Sequence, residues 1–260
     1  MADNYLLELK NISYTHADSA SPLISGLDLS VKGGEVVVIY GFNGCGKSTL
    51  LRLINNDLPE PYDGDVYIGG SRLQKGDFFD YSRISFLEQS PDTANFHRVK
   101  GELLDGGMVE ESDVLEIAEY FRCKSLLDKR MLSLSGGQKR IVKIMKTFLK
   151  KESDIILLDE PINNLDRTRA VLLSNYIKDF IARYPEKAVI IVTHCRMFPG
   201  VTAYNMEGGK LTPLNADSVC GTCFGTPDDR GYYKVDEDFS DIAPRGRKGF
   251  LHKIKSALGF

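Results

Sequence analysis

A chain of 260 residues, 42% of them hydrophobic, is long enough to bury a sizeable core. Its formal net charge of −3 gives no global electrostatic case for a specific nucleic-acid partner, and no apolar run approaches the roughly 18 residues of a transmembrane helix. The first residues, Met1–Tyr5, carry neither a basic region nor a signal-like apolar stretch, which implies a cytoplasmic protein whose five cysteines are reduced.

In chain order, Glu35–Tyr40 is the first decisive element, a short apolar, β-branched run that predicts a buried strand. Residues 41–48 then read Gly-Phe-Asn-Gly-Cys-Gly-Lys-Ser, the pattern G-x-x-x-x-G-K-[ST], and Ser48–Ile54 continues at helical spacing. A glycine loop between a strand and a helix N-terminus is the setting in which that pattern cradles phosphates. Gly41, Gly44 and Gly46 leave no side chain between backbone and ligand. Their N–H groups, with the helix dipole behind them, form a nest for negative oxygens. Lys47 is spaced to reach the β- and γ-phosphates, and the Ser48 hydroxyl to ligate Mg²⁺. The chain is expected to bind a nucleoside triphosphate.

Further along, Asp63–Gly70 reads as strand and turn, and Arg83–Glu88 as another strand. Residues 90–150 are expected to be largely helical, with Ile117, Ala118, Phe121, Leu126 and Leu127 as apolar positions. Leu134-Ser-Gly-Gly-Gln138 is a glycine-flexed turn ahead of a long helix-prone run. Ile155–Glu160 predicts a buried strand with two carboxylates at its C-terminal end, the edge where open α/β sheets bind ligands. There Asp159 would hold Mg²⁺, directly or through water, and Glu160 would polarise an attacking water. Residues 151–212 alternate strand, helix and strand, which closes a parallel sheet, and Glu207–Leu211 looks like a final hairpin. The fold class implied is α/β: a P-loop NTPase core with a mainly parallel sheet, an N-terminal antiparallel β part and an inserted α-helical subdomain. Residues 1–214 would form this unit, with the helical subdomain at about 90–150, and residues 215–260 a C-terminal extension.

In this order the strings resemble those of the nucleotide-binding subunits of ATP-binding cassette (ABC) ATPases, from about residue 5 to 212. Gly41–Thr49 matches Walker A, which places Asn43 and Thr49 with the glycines around the nucleotide. Gln89 matches the Q-loop and joins Ser48 and Asp159 as a candidate metal ligand. Leu134–Gln138 matches the family signature, Ile155–Glu160 Walker B, Asn164-Leu165-Asp166 the D-loop, and His194 the switch histidine. The resemblance implies ATP and Mg²⁺, with hydrolysis resting on Glu160, Lys47 and His194, the histidine sensing the γ-phosphate. It also implies a dimer. Ser135, Gly136, Gly137 and Gln138 of one subunit would close over the nucleotide held by another, with Asp166 alongside. One copy of each motif implies pairing with a second copy or a homologous ATPase subunit. Family members dock transmembrane permease subunits on the helical subdomain, with Gln89 at its hinge, so the implied place is peripheral, on the cytoplasmic face of a membrane. For the base-stacking aromatic of the family, both His16 and Tyr14 are candidates, and Tyr14 also reads as a buried strand residue.

Two positions and one stretch depart from the family pattern. Ile162 replaces the usual threonine, Cys195 the common aspartate, and Lys139–Lys146 lacks the usual alanine-rich, arginine-bearing stretch. None removes a phosphate, metal or water-positioning group. Asn163–Asp166 is also similar to soluble, ribosome-associated family members, which leaves a mechanochemical ATPase acting on a macromolecular complex as the alternative function.

Beyond Pro213, Cys220-Gly-Thr-Cys223 has zinc-knuckle spacing with no second pair, so it reads either as half of a shared site or as two reduced thiols in a turn. An acidic stretch follows and then a basic one. Phe250, Leu251, Ile254 and Leu258 fall close to one helical face, which suits either a membrane or partner surface or a helix packed back on the rest.

Overall fold

The computed structural model describes residues 5–73, 81–89, 97–214, 227 and 232–233. Along β1 (Tyr5–Tyr14) buried Leu7, Leu9, Ile12 and Tyr14 face one core. β2 (Ile24–Lys32) pairs antiparallel with it, Leu9 opposite Leu29. β3 (Val36–Tyr40) leads through the glycine loop into α1 (Lys47–Ile54). β4 (Asp63–Ile68) returns to the other side of β1, and β5 (Ser71–Leu73) completes an antiparallel sheet of order β2-β1-β4-β5.

β6 (Ile84–Leu87) precedes three helices, α2 (Val99–Leu104), α3 (Glu111–Tyr120) and α4 (Gly136–Leu149). The described residues of the segment read as largely helical are built from these, joined in part by short 3-10 turns at Lys124–Leu126 and Met131–Ser133. Then come β7 (Ile155–Asp159), α5 (Arg167–Arg183), β8 (Ala188–Thr193), β9 (Thr202–Glu207) and β10 (Lys210–Leu214). The second sheet has the order β10-β9-β3-β8-β7-β6. Its neighbours are parallel except at the β9–β10 hairpin, whose Gly208 and Gly209 sit at φ 55° and 76°. A two-residue type I′ turn needs positive φ at both central positions, which is why glycines stand there.

The parallel strands are covered on both faces, and the two-residue period sorts their side chains. Val37, Ile39, Ile155, Leu157, Ile190 and Val192 pack with α1 and the antiparallel sheet. Val38, Tyr40, Ile156, Leu158, Val189 and Ile191 pack with α4, α5 and the helical segment. Rings of Phe121, Tyr176, Phe148 and Phe180, with centroids 4.9 to 5.1 Å apart, join that segment to α5. Such ring pairs add about 0.5–1.5 kcal/mol each beyond area burial.

The chain touches α5 again after β10. The Asn175 amide donates to the Tyr233 carbonyl at 2.9 Å, and the Tyr233 N–H donates to Asn175 Oδ1 at 3.0 Å. The hydroxyls of Tyr232 and of Tyr120 on α3 donate to the two oxygens of Asp179, at 2.9 and 3.0 Å. Cys220, Cys223 and the segment 245–260 lie outside the described residues.

Candidate functional site

The glycine loop, the C-terminal ends of β7 and β8, and the turn after β1 converge on one open cavity of about 400 Å³. Asn43, Gly44, Gly46, Lys47, Ser48 and Thr49 line it from the loop and α1. Gly46 caps α1 at φ 106°, and a Cβ there would meet Met206 Cε at 2.9 Å, so both backbone shape and space favour glycine. Gly41 lies at the base of the loop. Lys47 folds back over the loop, its ammonium donating to the carbonyls of Gly41 at 2.8 Å and Phe42 at 3.0 Å. That curl keeps the cation in the mouth of the nest, where incoming phosphate oxygens compete with two neutral carbonyls for it.

Opposite the loop, Asp159 ends β7 and is 3% exposed. Burial pushes its carboxyl above the usual carboxylate range, and the Glu160 charge adds to this, while the hydrogen bond with Ser48 pulls the other way. Asp159 Oδ1 is buried and has no hydrogen-bond partner among the described residues. A buried carboxylate oxygen without a donor, beside a serine hydroxyl, is the donor set expected around a hard divalent cation. Among the described residues no group of three or more His, Cys, Asp or Glu could hold a metal alone. Mg²⁺ at triphosphate sites takes one or two protein ligands and completes its shell with phosphates and water, so the arrangement fits.

Glu160 is 5% exposed, and its Oε2 lies 3.0 Å from both the Thr193 hydroxyl and His194 Nδ1. Its N–H donates to Val192 across to β8, and its φ is 44°. A non-glycine residue held there stores about 1–3 kcal/mol, a pattern that clusters at functional sites. The side chain of His194 is half-exposed and lines the cavity, as do Gln89 and His16. Tyr14, the other candidate for stacking a base, is 1% exposed and stands behind His16. Its hydroxyl donates to Glu60 and lies 3.1 Å from His16 Nδ1. The geometry therefore puts His16 on the cavity wall and Tyr14 buried behind it.

Ser135, Gly136, Gly137, Gln138 and Asp166 are not among the residues that line the cavity. Ser135 is exposed and caps α4: its hydroxyl accepts from the Gln138 N–H, and Gln138 Oε1 accepts from the Ser135 N–H. Asp166 caps α5, accepting from the Arg169 N–H at 2.9 Å. A Cβ on Gly137 would meet the Asn164 carbonyl at 2.5 Å, so only glycine lets the first turn of α4 press on the loop that carries Asp166. Sequence reasoning passed over Leu23 and Asn163, which line the cavity, and Thr193, which holds Glu160. It also gave no role to Arg140, whose guanidinium reaches the backbone of Glu88, Asp159 and Glu160.

Comparison with known proteins points to one family. A family model described as ABC transporter matches residues 24–163. A maltose/maltodextrin import ATP-binding protein of Yersinia pestis is 35% identical over 180 residues, covering 65% of this chain and 46% of that protein. An sn-glycerol-3-phosphate import ATP-binding protein of Cupriavidus metallidurans is 29% identical over 224 residues, covering 80% and 59%. The chain spans between 35% and 59% of the length of the curated relatives it matches. A solved nucleotide-free ATP-binding cassette from an ABC transporter superposes with a TM-score of 0.68 at 23% identity, covering 82% of this chain and 92% of that one.

Proposed function

This chain belongs to the ABC transporter family of ATP-binding cassettes, and on that premise we propose that it is the ATP-hydrolysing subunit of a transporter. It would pair with a second copy or a homologous subunit around two ATP and drive transmembrane permease subunits from the cytoplasmic face of a membrane. One observation carries the reading. The phosphate loop, Glu160 and His194 share one cavity, with Asp159 hydrogen-bonded to Ser48 of its lining, while the signature at Ser135–Gly137 lies outside it, with the Ser135 cap exposed. A cavity that carries the phosphate-binding loop and the catalytic carboxylate but not the signature would be half of a composite site.

The chemistry follows from the side chains. Triphosphate oxygens draw Lys47 away from the Gly41 and Phe42 carbonyls and accept from the loop N–H groups. Ser48 and Asp159 would hold Mg²⁺ with Gln89 at the rim, and the ion supplies charge neutralisation on the phosphate oxygens. Glu160, fixed by Thr193 and His194, orients the attacking water and accepts its proton. His194 reaches the γ-phosphate side and reports its presence to Glu160. The partner's signature helix brings a hydroxyl, N–H groups and a helix N-terminus to the γ-phosphate, so two ATP hold the dimer closed and hydrolysis opens it. His16 stacks on the base.

The relatives named as import ATP-binding proteins favour the transporter over a soluble machine on a ribosome. No helix among the described residues is long and apolar enough to cross a membrane. Affinity purification from detergent-solubilised membranes tests the transporter reading. Recovery of a polytopic membrane protein together with this chain is expected, and recovery with ribosomes alone would overturn it.

A further inference from the structure

A single buried cation on α4 touches the backbone of two separate stretches of the site. Arg140 is 8% exposed. Its Nη1 donates to the Glu88 carbonyl at 2.8 Å, and its Nη2 donates to the carbonyls of Asp159 and Glu160, the latter at 3.0 Å. Glu88 directly precedes Gln89, a cavity-lining residue. Glu160 holds a left-handed backbone that a residue with a Cβ adopts only when its surroundings impose it. Charged donors on the two carbonyls at and before that turn are such a surrounding.

We infer that Arg140 is a positioning residue for hydrolysis, the clamp that fixes the turn aiming the Glu160 carboxylate and ties that turn to the Gln89 side of the cavity. The inference rests on the reading of Glu160 as the water-orienting group. It goes further in linking that group to α4. The helix begins at the Ser135 cap, which would face the partner's nucleotide, five residues before the arginine. A rigid helix transmits a shift at its first turn to Arg140, so the aim of Glu160 depends on where α4 sits. The planar fork matters here. Two guanidinium nitrogens serve three carbonyls in fixed directions, which a lysine ammonium cannot reproduce in full. The same charge opposes the upward push that burial gives the Asp159 carboxyl.

Arg140→Met and Arg140→Lys in the full chain test the clamp. The readouts are kcat and KM for Mg-ATP, nucleotide affinity from a separate titration with a fluorescent ATP analogue, and a thermal melt. Arg140→Met should lower kcat about 30-fold or more, the scale of a small misplacement of a reacting group, with KM and affinity within about threefold. Arg140→Lys should recover part of kcat through the carbonyls it still reaches. If Arg140→Met melts below the assay temperature, Arg140→Lys decides: a lowered kcat at unchanged KM supports the clamp, and an unchanged kcat overturns it. An Arg140→Met kcat within about threefold of wild type also overturns it, as does a loss of affinity that accounts for the loss of rate. A wild-type chain that turns over no ATP removes the functional reading and this inference together. An active wild type beside an equally active Arg140→Met removes this inference alone.

Discussion

Replacing Glu160 by glutamine separates the base from the fold that holds it. The carboxylate is buried, with Oε2 3.0 Å from the Thr193 hydroxyl and from His194 Nδ1. Glutamine keeps nearly the same volume and one oxygen that can accept from Thr193. The fold should therefore lose less than about 1 kcal/mol, the size of one rearranged hydrogen bond. Lys47 bonds the Gly41 and Phe42 carbonyls and Ser48 bonds Asp159, contacts that the substitution leaves in place. What disappears is a carboxylate able to take a proton from the attacking water. A positioned base contributes roughly 10²–10⁴ in rate, or about 3–5 kcal/mol of barrier. Steady-state phosphate release with Mg-ATP, beside an equilibrium ATP titration, reads both quantities. The expected result is a kcat at least about 100-fold lower with an ATP Kd within about threefold of wild type. Wild-type turnover in Glu160→Gln would refute the role of Glu160. Lost ATP binding would refute the separation between the phosphate cradle and the catalytic carboxylate.

Three other perturbations follow from the geometry. Ser135→Arg puts a long cation at the exposed cap of α4, so ATP binding to the single chain should survive while turnover falls to background; normal hydrolysis would contradict a composite site. Asp159→Asn should raise the melting temperature of the nucleotide-free chain near neutral pH. The folded state raises this carboxyl above its ordinary value of 3.8, so its contribution to stability is present below that value and is lost as pH rises through the folded pKa. The advantage of the variant should shrink as pH falls toward that value, and a lower melting temperature at neutral pH would refute the buried-charge argument. Tyr233→Ala removes a buried ring while keeping the backbone hydrogen bonds to Asn175, and should cost about 3 kcal/mol by chemical denaturation, whereas an unchanged midpoint would show that this ring adds nothing to the fold.

Much of this fold could be read in advance because its signals are local. The β3–loop–α1 unit is one uninterrupted string, and the apolar run of β7 announces both its burial and its acidic end. The hairpin at Gly208-Gly209 is equally local. The residues that were missed act across the chain. Thr193 reaches Glu160 from the next strand of the sheet, and Arg140 binds carbonyls 52, 19 and 20 positions away. Every residue has a carbonyl, so a side chain that recognises backbone leaves no pattern in its acceptors. Arg140 was hidden for a second reason. It sits in a lysine-rich run that departs from the family's usual helix, and a charge in such a run reads as a solvated face. His16 and Tyr14 stayed unresolved in sequence because two residues of similar shape lie two positions apart. The end of β1 separates them by burying Tyr14 and turning His16 to the cavity.

The composite site itself is tested most directly by light scattering of Glu160→Gln, with and without Mg-ATP. A site completed by the signature of another chain predicts one-chain mass without nucleotide and two-chain mass with it. Adding Ser135→Arg to the same chain should abolish the doubling while ATP still binds. One-chain mass under every condition, with wild-type chains hydrolysing ATP at a specific rate independent of protein concentration, would contradict it.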